Sequence, residues 1–176
     1  VSVIIPCFNS GRTLLKAIDS IRNQTWKNIE IIVVNDGSDD SFTINVLSKL
    51  KSIKVINQIN RGLPAARNNG FRMASGNFIL PLDADDWLEF NAIELMLNRL
   101  IKSYNLAFVY SDLKLEGKSN KIISKKFNFF EQLFLNHLPY CILMHKKVWL
   151  EIGGYDEEFI NGYEDWDFNV RLLKNN

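Results

Sequence analysis

Short β-branched runs alternate with apolar stripes at helical spacing through residue 105 of the chain. Val3-Ile4-Ile5 predicts a strand, and Leu14, Leu15, Ile18 and Ile21 after it fall on one face of a helix. Ile29-Glu30-Ile31-Ile32-Val33-Val34 is apolar almost without a break, the pattern of a strand covered on both faces. A weaker helical stretch at 44–50 leads to a third strand at 53–56. Leu63-Pro64-Ala65-Ala66 opens another helix with proline in its first turn, and Ser75-Gly76 stops it. Phe78-Ile79-Leu80-Pro81-Leu82 predicts the fourth strand, and Ile93, Met96, Leu97, Leu100 and Ile101 the next helical stripe.

Strand and helix in this alternation build βαβ units around a mostly parallel sheet, so the chain is read as α/β. Past residue 105 the pattern loosens. Ala107-Phe108-Val109-Tyr110 and Lys121-Ile122-Ile123 read as the two strands of a hairpin-like insert, and 129–135 as an aromatic helix. Cys141-Ile142-Leu143-Met144 is a further strand, Gly153-Gly154-Tyr155-Asp156 a turn, and 164–174 the last helix. No repeat or linker divides the 176 residues, which predicts one domain with halves at 1–105 and 106–176. Val1 already stands at a core strand and Asn176 within an apparent helix, so the sequence reads as an excerpt, truncated at the C-terminus.

Composition narrows the function classes. With 47% hydrophobic and 23% charged residues the chain is globular, and 21 basic against 20 acidic residues give no electrostatic funnel towards nucleic acid. No apolar run approaches the ~20 residues of a membrane span. Cys7 and Cys141 form no Cys-x-x-Cys; they read as buried small hydrophobes in a reducing, cytoplasmic compartment. Lys125-Lys126-Phe127 with Phe129-Phe130 gives either peripheral contact at the inner face of the membrane or an ordinary amphipathic helix. His137 and His145 lack the paired spacing of a zinc site and read as structural.

Parallel sheets bind ligands beyond the carboxyl ends of their strands. The polar clusters fall there: Asn9, Asn35-Asp36-Gly37-Ser38, Asn60-Arg61-Gly62 and Asp83-Ala84-Asp85-Asp86. Three carboxylates within four positions repel unless a cation compensates, and hard oxygen ligands suit Mg²⁺ or Mn²⁺; the plainer reading is a solvated turn with a helix cap. Asp36 can accept the imide N–H of a uracil ring or simply sit in a turn. Arg67 is either a surface arginine or a planar fork for the base or diphosphate. Glu164-Asp165 suits a helix start through the macrodipole, or supplies Asp165 as general base. Trp166 reads as core, with stacking on a sugar as the other option.

Taken in order, the motifs are Val3-Ile4-Ile5-Pro6-Cys7-Phe8-Asn9, Ile32-Val33-Val34-Asn35-Asp36-Gly37-Ser38-Asp39-Asp40, and Asn60-Arg61-Gly62 with Ala65-Ala66-Arg67-Asn68. Leu82-Asp83-Ala84-Asp85-Asp86 follows, then Gly153-Gly154-Tyr155-Asp156 with Glu164-Asp165. Over essentially its whole length the chain thereby resembles the inverting glycosyltransferases of family 2. The resemblance implies a GT-A fold (Rossmann-like, nucleotide-diphospho-sugar transferase). It also implies one catalytic domain, 1–105 holding the nucleotide sugar and 106–176 facing the acceptor.

By the family pattern Pro6, Phe8, Asn9 and Asp36 hold the nucleoside and Arg67 lies at the base or phosphates. In the Asp-x-Asp motif, Asp83-Ala84-Asp85, the first aspartate binds ribose and Asp85 binds Mn²⁺ or Mg²⁺ with the diphosphate, with Asp86 auxiliary. Asp165 is implied as catalytic base, with Glu164 and Trp166 facing the acceptor. The implied reaction moves a sugar from a nucleotide-diphosphate donor, a UDP-sugar by family expectation, to a hydroxyl of a saccharide or lipid-linked acceptor in cell-envelope polysaccharide synthesis.

Phe90 departs from the pattern, where proline is frequent, and the family domain usually continues past the last helix. The alternatives are a nucleotidyltransferase, for which Pro6-Cys7-Phe8-Asn9-Ser10-Gly11-Arg12 is a poor phosphate loop, and a non-catalytic sugar-nucleotide-binding module.

Overall fold

The computed structural model describes residues 1–103, 106–117 and 119–174. Four strands run parallel: β1 (Ser2–Cys7), β2 (Glu30–Asp36), β3 (Lys54–Gln58) and β4 (Phe78–Pro81). Between them lie α1 (Gly11–Arg22), α2 (Ser41–Ser48) and α3 (Leu63–Met73), and α4 (Ala92–Lys102) follows β4. The second half adds β5 (Phe108–Tyr110), β6 (Leu113–Leu115), β7 (Lys121–Ile123), α5 (Phe129–Gln132), β8 (Ile142–His145), α6 (Lys146–Glu151) and α7 (Glu164–Lys174). The six-stranded sheet has the order β3-β2-β1-β4-β8-β5, with β8 antiparallel to both of its neighbours.

Every residue of β1 is buried, because helices cover both faces of the sheet. Val3 and Ile5 face one layer, where Leu14 and Ile18 of α1 and Leu97 of α4 meet them. Ile4 faces the other, with Phe71 of α3, Trp149 of α6 and Phe168 of α7. Helix α3 approaches the sheet closely at Gly70, where a Cβ would stand 2.4 Å from Ile4 Cγ2. Helix α2 is capped by Asp40, whose side chain accepts the Thr43 N–H.

The βαβ alternation and mostly parallel sheet match the sequence reading; the second half corrects it. Residues 107–110 and 121–123 are not partners in one hairpin. Phe108–Tyr110 joins the main sheet beside β8, and Lys121–Ile123 pairs instead with Leu113–Leu115. The half-buried β5 residues find an apolar sheet edge, whereas the mostly exposed β6 and β7 close only on each other. The aromatic helix expected over 129–135 is regular only over Phe129–Gln132, and α6 was not anticipated. The expectation that the last helix continues through Asn175 and Asn176 falls outside the described residues. Cys7 and Cys141 are free and buried. Among the described residues no helix is long and apolar enough to cross a membrane.

Candidate active site

Parallel strands finish on one edge, and their loops enclose a cleft of about 410 Å³ there. Of the residues singled out from sequence, Pro6, Phe8, Asp36, Asp83, Ala84 and Asp85 line it. Asn9, Arg67, Glu164, Asp165 and Trp166 do not.

Asp36, the last residue of β2, is buried and organises the loop after β3. Its Oδ1 accepts from Gln58 Nε2 (2.8 Å) and the Arg61 N–H (2.9 Å), and its Oδ2 from the Gly62 N–H (2.9 Å). Gly37 makes this closure feasible: φ is +73° and a Cβ would stand 2.6 Å from the Asn60 nitrogen. A carboxylate oxygen has two lone pairs, so Oδ2 retains an acceptor position for a ligand donor. Asn9 also organises a loop. Its Nδ2 donates to Asp39 (2.7 Å) and its Oδ1 accepts the Asp39 and Asp40 N–H groups (3.0 and 3.2 Å), tying the loops after β1 and β2 together.

Arg67 is not at the surface, contrary to one of its two sequence readings: it is 1% exposed. Nη2 binds both carboxylate oxygens of Asp83 (2.9 and 3.2 Å), and Nη1 binds Glu164 Oε1 at 2.8 Å. The rings of Tyr140 and Tyr155 lie 5.0 and 5.4 Å from its Cζ. Burial alone would favour neutral arginine; the charges of Asp83, chiefly, and Glu164 outweigh it and keep the guanidinium charged. Asp83 is pushed above the ordinary carboxylate range by burial, against the pull of Arg67 and with a further push from Asp86 and Asp85.

Tyr140 was not among the residues singled out. Its hydroxyl accepts the Asp83 N–H (3.1 Å) and donates to Asp86 Oδ2 (2.5 Å). Nothing in the spacing around Tyr140 marks it, because its partners lie 57 and 54 positions earlier, in the loop after the neighbouring strand β4. Asp85, exposed at the cleft, makes no hydrogen bond among the described residues.

Asp165 stands in the first turn of α7, reached through positive φ at Gly162 (103°) and Tyr163 (68°). It is half-buried; Oδ1 accepts the Trp166 N–H (2.8 Å) and Oδ2 accepts from Asn136 Nδ2 (2.9 Å). Trp166 is half-buried too, its Nε1 donating to the Gln132 carbonyl (2.7 Å). Glu164 is buried against Arg67, so the residue read as facing the acceptor is engaged inward.

Among the described residues no three histidine, cysteine or acidic side chains are grouped to hold a metal by themselves. One free carboxylate, Asp85, beside a partly engaged Asp83, fits an ion that takes one or two protein oxygens and completes its shell with phosphates and water.

The family model described as Glycosyl transferase family 2 matches residues 2–150. The chondroitin synthase of Pasteurella multocida (strain Pm70) is 30% identical over 182 residues, covering 98% of this chain and 18% of the synthase. The first curated relatives match over only 18–26% of their own length. S. aureus TarS 1-349 in complex with UDP-GlcNAc superposes with a TM-score of 0.74 at 20% identity, over 97% of this chain and 52% of that one. The mannosyltransferase PcManGT of Pyrobaculum calidifontis, in complex with GDP-Man and Mn2+, gives 0.68 at 15% identity, over 97% of this chain and 51% of that one. With a matching family model over most of its length and the GT-A fold of these neighbours, the chain belongs to glycosyl transferase family 2.

Proposed function

We propose that residues 1–176 form the catalytic domain of a metal-dependent inverting glycosyltransferase that moves a sugar from a UDP-sugar to a hydroxyl of a saccharide or lipid-linked acceptor. The observation that carries this reading is the cleft at the carboxyl edge, with Asp36 at one wall and the Asp83-Ala84-Asp85 loop at the other. The UDP-GlcNAc bound by TarS supports the donor class, and the chondroitin synthase supports a saccharide acceptor.

In this reading Pro6, Phe8 and Asp36 receive the nucleoside, with Asn9 holding their loops together. Asp83 orients the ribose while Arg67 neutralises it from behind. Asp85 holds Mn²⁺ or Mg²⁺, which when bound screens the charge of the diphosphate leaving group. Asp165 accepts the proton of the acceptor hydroxyl as that oxygen attacks the anomeric carbon from the face opposite the diphosphate, and configuration inverts. Asn136 and the Trp166 N–H fix the orientation of that carboxylate. Trp166 flanks it towards the acceptor, and the bond from the inward-turned Glu164 to Arg67 ties the start of α7 to the donor side.

Exposed Phe127, Phe129 and Phe130 beside Lys125 and Lys126 are what favours a peripheral contact with a membrane surface. A donor-hydrolysis screen over UDP- and GDP-sugars, with and without Mn²⁺, tests the assignment. Metal-dependent release of UDP is expected. Pyrophosphate exchange with a nucleoside triphosphate would instead identify a nucleotidyltransferase, and UDP binding without turnover of any donor a binding module.

A further inference from the structure

Three carboxylates crowd the four positions 83–86, yet the structure disposes of them in three different ways. Asp83 is held by the buried Arg67. Asp86 accepts a hydrogen bond from the Tyr140 hydroxyl. Asp85 is exposed and, among the described residues, makes no hydrogen bond.

The direction of the two Tyr140 bonds is forced. A backbone N–H can only donate and an ionised carboxylate can only accept, so the phenol takes from Asp83 N and gives to Asp86. It therefore spans the loop from first aspartate to last. The sheet puts it there: β8 runs antiparallel to β4, with Phe78 opposite His145 and Ile79 opposite Met144. Continued past β4, the same register brings Tyr140 opposite Asp83. The ring also packs 5.0 Å from the Arg67 Cζ, so one side chain touches both the loop and the cation behind it.

We propose that Tyr140 is a positioning residue for the metal–diphosphate site: by bridging Asp83 and Asp86 it fixes the loop so that Asp85 is offered to the cation. The proposal rests on the donor reading above. Without the phenol the Asp83 N–H and the Asp86 carboxylate both lose their partner, and the loop that carries Asp85 between them gains alternative conformations. Losing a hydrogen bond to a charged group is a substantial perturbation, so the effect on an ion bound next to it is large enough to measure.

The test is a double-mutant cycle with Tyr140→Phe and Asp86→Ala, reading UDP affinity by calorimetry with and without Mn²⁺. Tyr140→Phe keeps the ring against Arg67, and Asp86→Ala is a change at an exposed position that reports on the same link if the tyrosine variant folds poorly. Each single variant is expected to weaken UDP binding in Mn²⁺ about tenfold. Both leave metal-free UDP affinity unchanged, and the double variant is no weaker than either single one. Equal losses with and without Mn²⁺ would show a merely structural tyrosine, and additive losses would show that the two residues act separately. A loss in Asp86→Ala alone would make Asp86 a direct ligand; each of these results overturns the proposal. Wild-type affinity that ignores Mn²⁺ would instead remove the donor reading beneath it, a failure visible before any variant is made.

Discussion

Arg67 and Glu164 are 97 positions apart in the chain and are joined by a 2.8 Å ion pair in which both side chains are buried. Because the same guanidinium grips Asp83, one cation connects the aspartate loop after β4 to the first turn of the helix that carries Asp165.

Removing that cation leaves Asp83 and Glu164 partly desolvated and unpaired. Arg67→Met is expected to destabilise the fold by about 3–5 kcal/mol, the range for breaking a buried pair from one side. Chemical denaturation checks it, and a loss below about 1 kcal/mol would mean that water reaches the two carboxylates.

Helix α3 reaches β1 only because position 70 has no side chain. Gly70→Ala places a Cβ 2.4 Å from Ile4 Cγ2, and overpacking of this kind costs about 1–3 kcal/mol despite the better helix propensity of alanine. The same denaturation curves read it; a gain in stability would show that α3 and the sheet can separate freely.

The turn at 153–157 docks on α3 through Asn68, Arg72 and Glu157. Burial opposes ionisation of Glu157, but hydrogen bonds from Asn68 and Arg72 and the charges of Arg61 and Arg72 prevail, lowering its carboxyl below the ordinary value of 4.5. A lowered carboxylate stabilises the fold above the unfolded-state value and loses that contribution as pH falls through the folded one. Stability should therefore decline below about pH 4.5 more steeply in wild type than in Glu157→Gln. Parallel acid limbs in thermal melts from pH 3 to 6 would contradict the assignment.

The first half of the fold is legible in the sequence because its strands are buried on both faces and read as unbroken apolar runs. Val3-Ile4-Ile5 and Ile32-Val33-Val34 need no partner information to be recognised. In the second half β8 and α7 are legible too, but the pairing of β5, β6 and β7 is not, since these three-residue strands are placed by which edge is free. The site divides the same way. The aspartates of the Asp-x-Asp loop are contiguous and follow a strand, so they were visible. Tyr140 and Asn136 act on Asp86 and Asp165 from distant segments, and only sheet register and tertiary packing bring them there. Arg67 was visible as a residue, but its burial was not, because a lone arginine on a helix leaves no trace of the two acids it meets.

A general base removes a proton and contributes little to holding the nucleotide. Asp165→Asn is expected to lower glycosyl transfer by about 10²–10⁴-fold while UDP affinity stays within about twofold. Product analysis alongside calorimetry separates the two effects, and transfer at the wild-type rate would exclude Asp165 from the chemistry.

The most direct measurement is calorimetric titration of UDP into wild type and Asp85→Ala, each with Mn²⁺ present and absent. A cation shared between Asp85 and the diphosphate predicts that Mn²⁺ tightens UDP binding in wild type by about tenfold or more and has little effect in the variant. Equal affinities in all four titrations would contradict it.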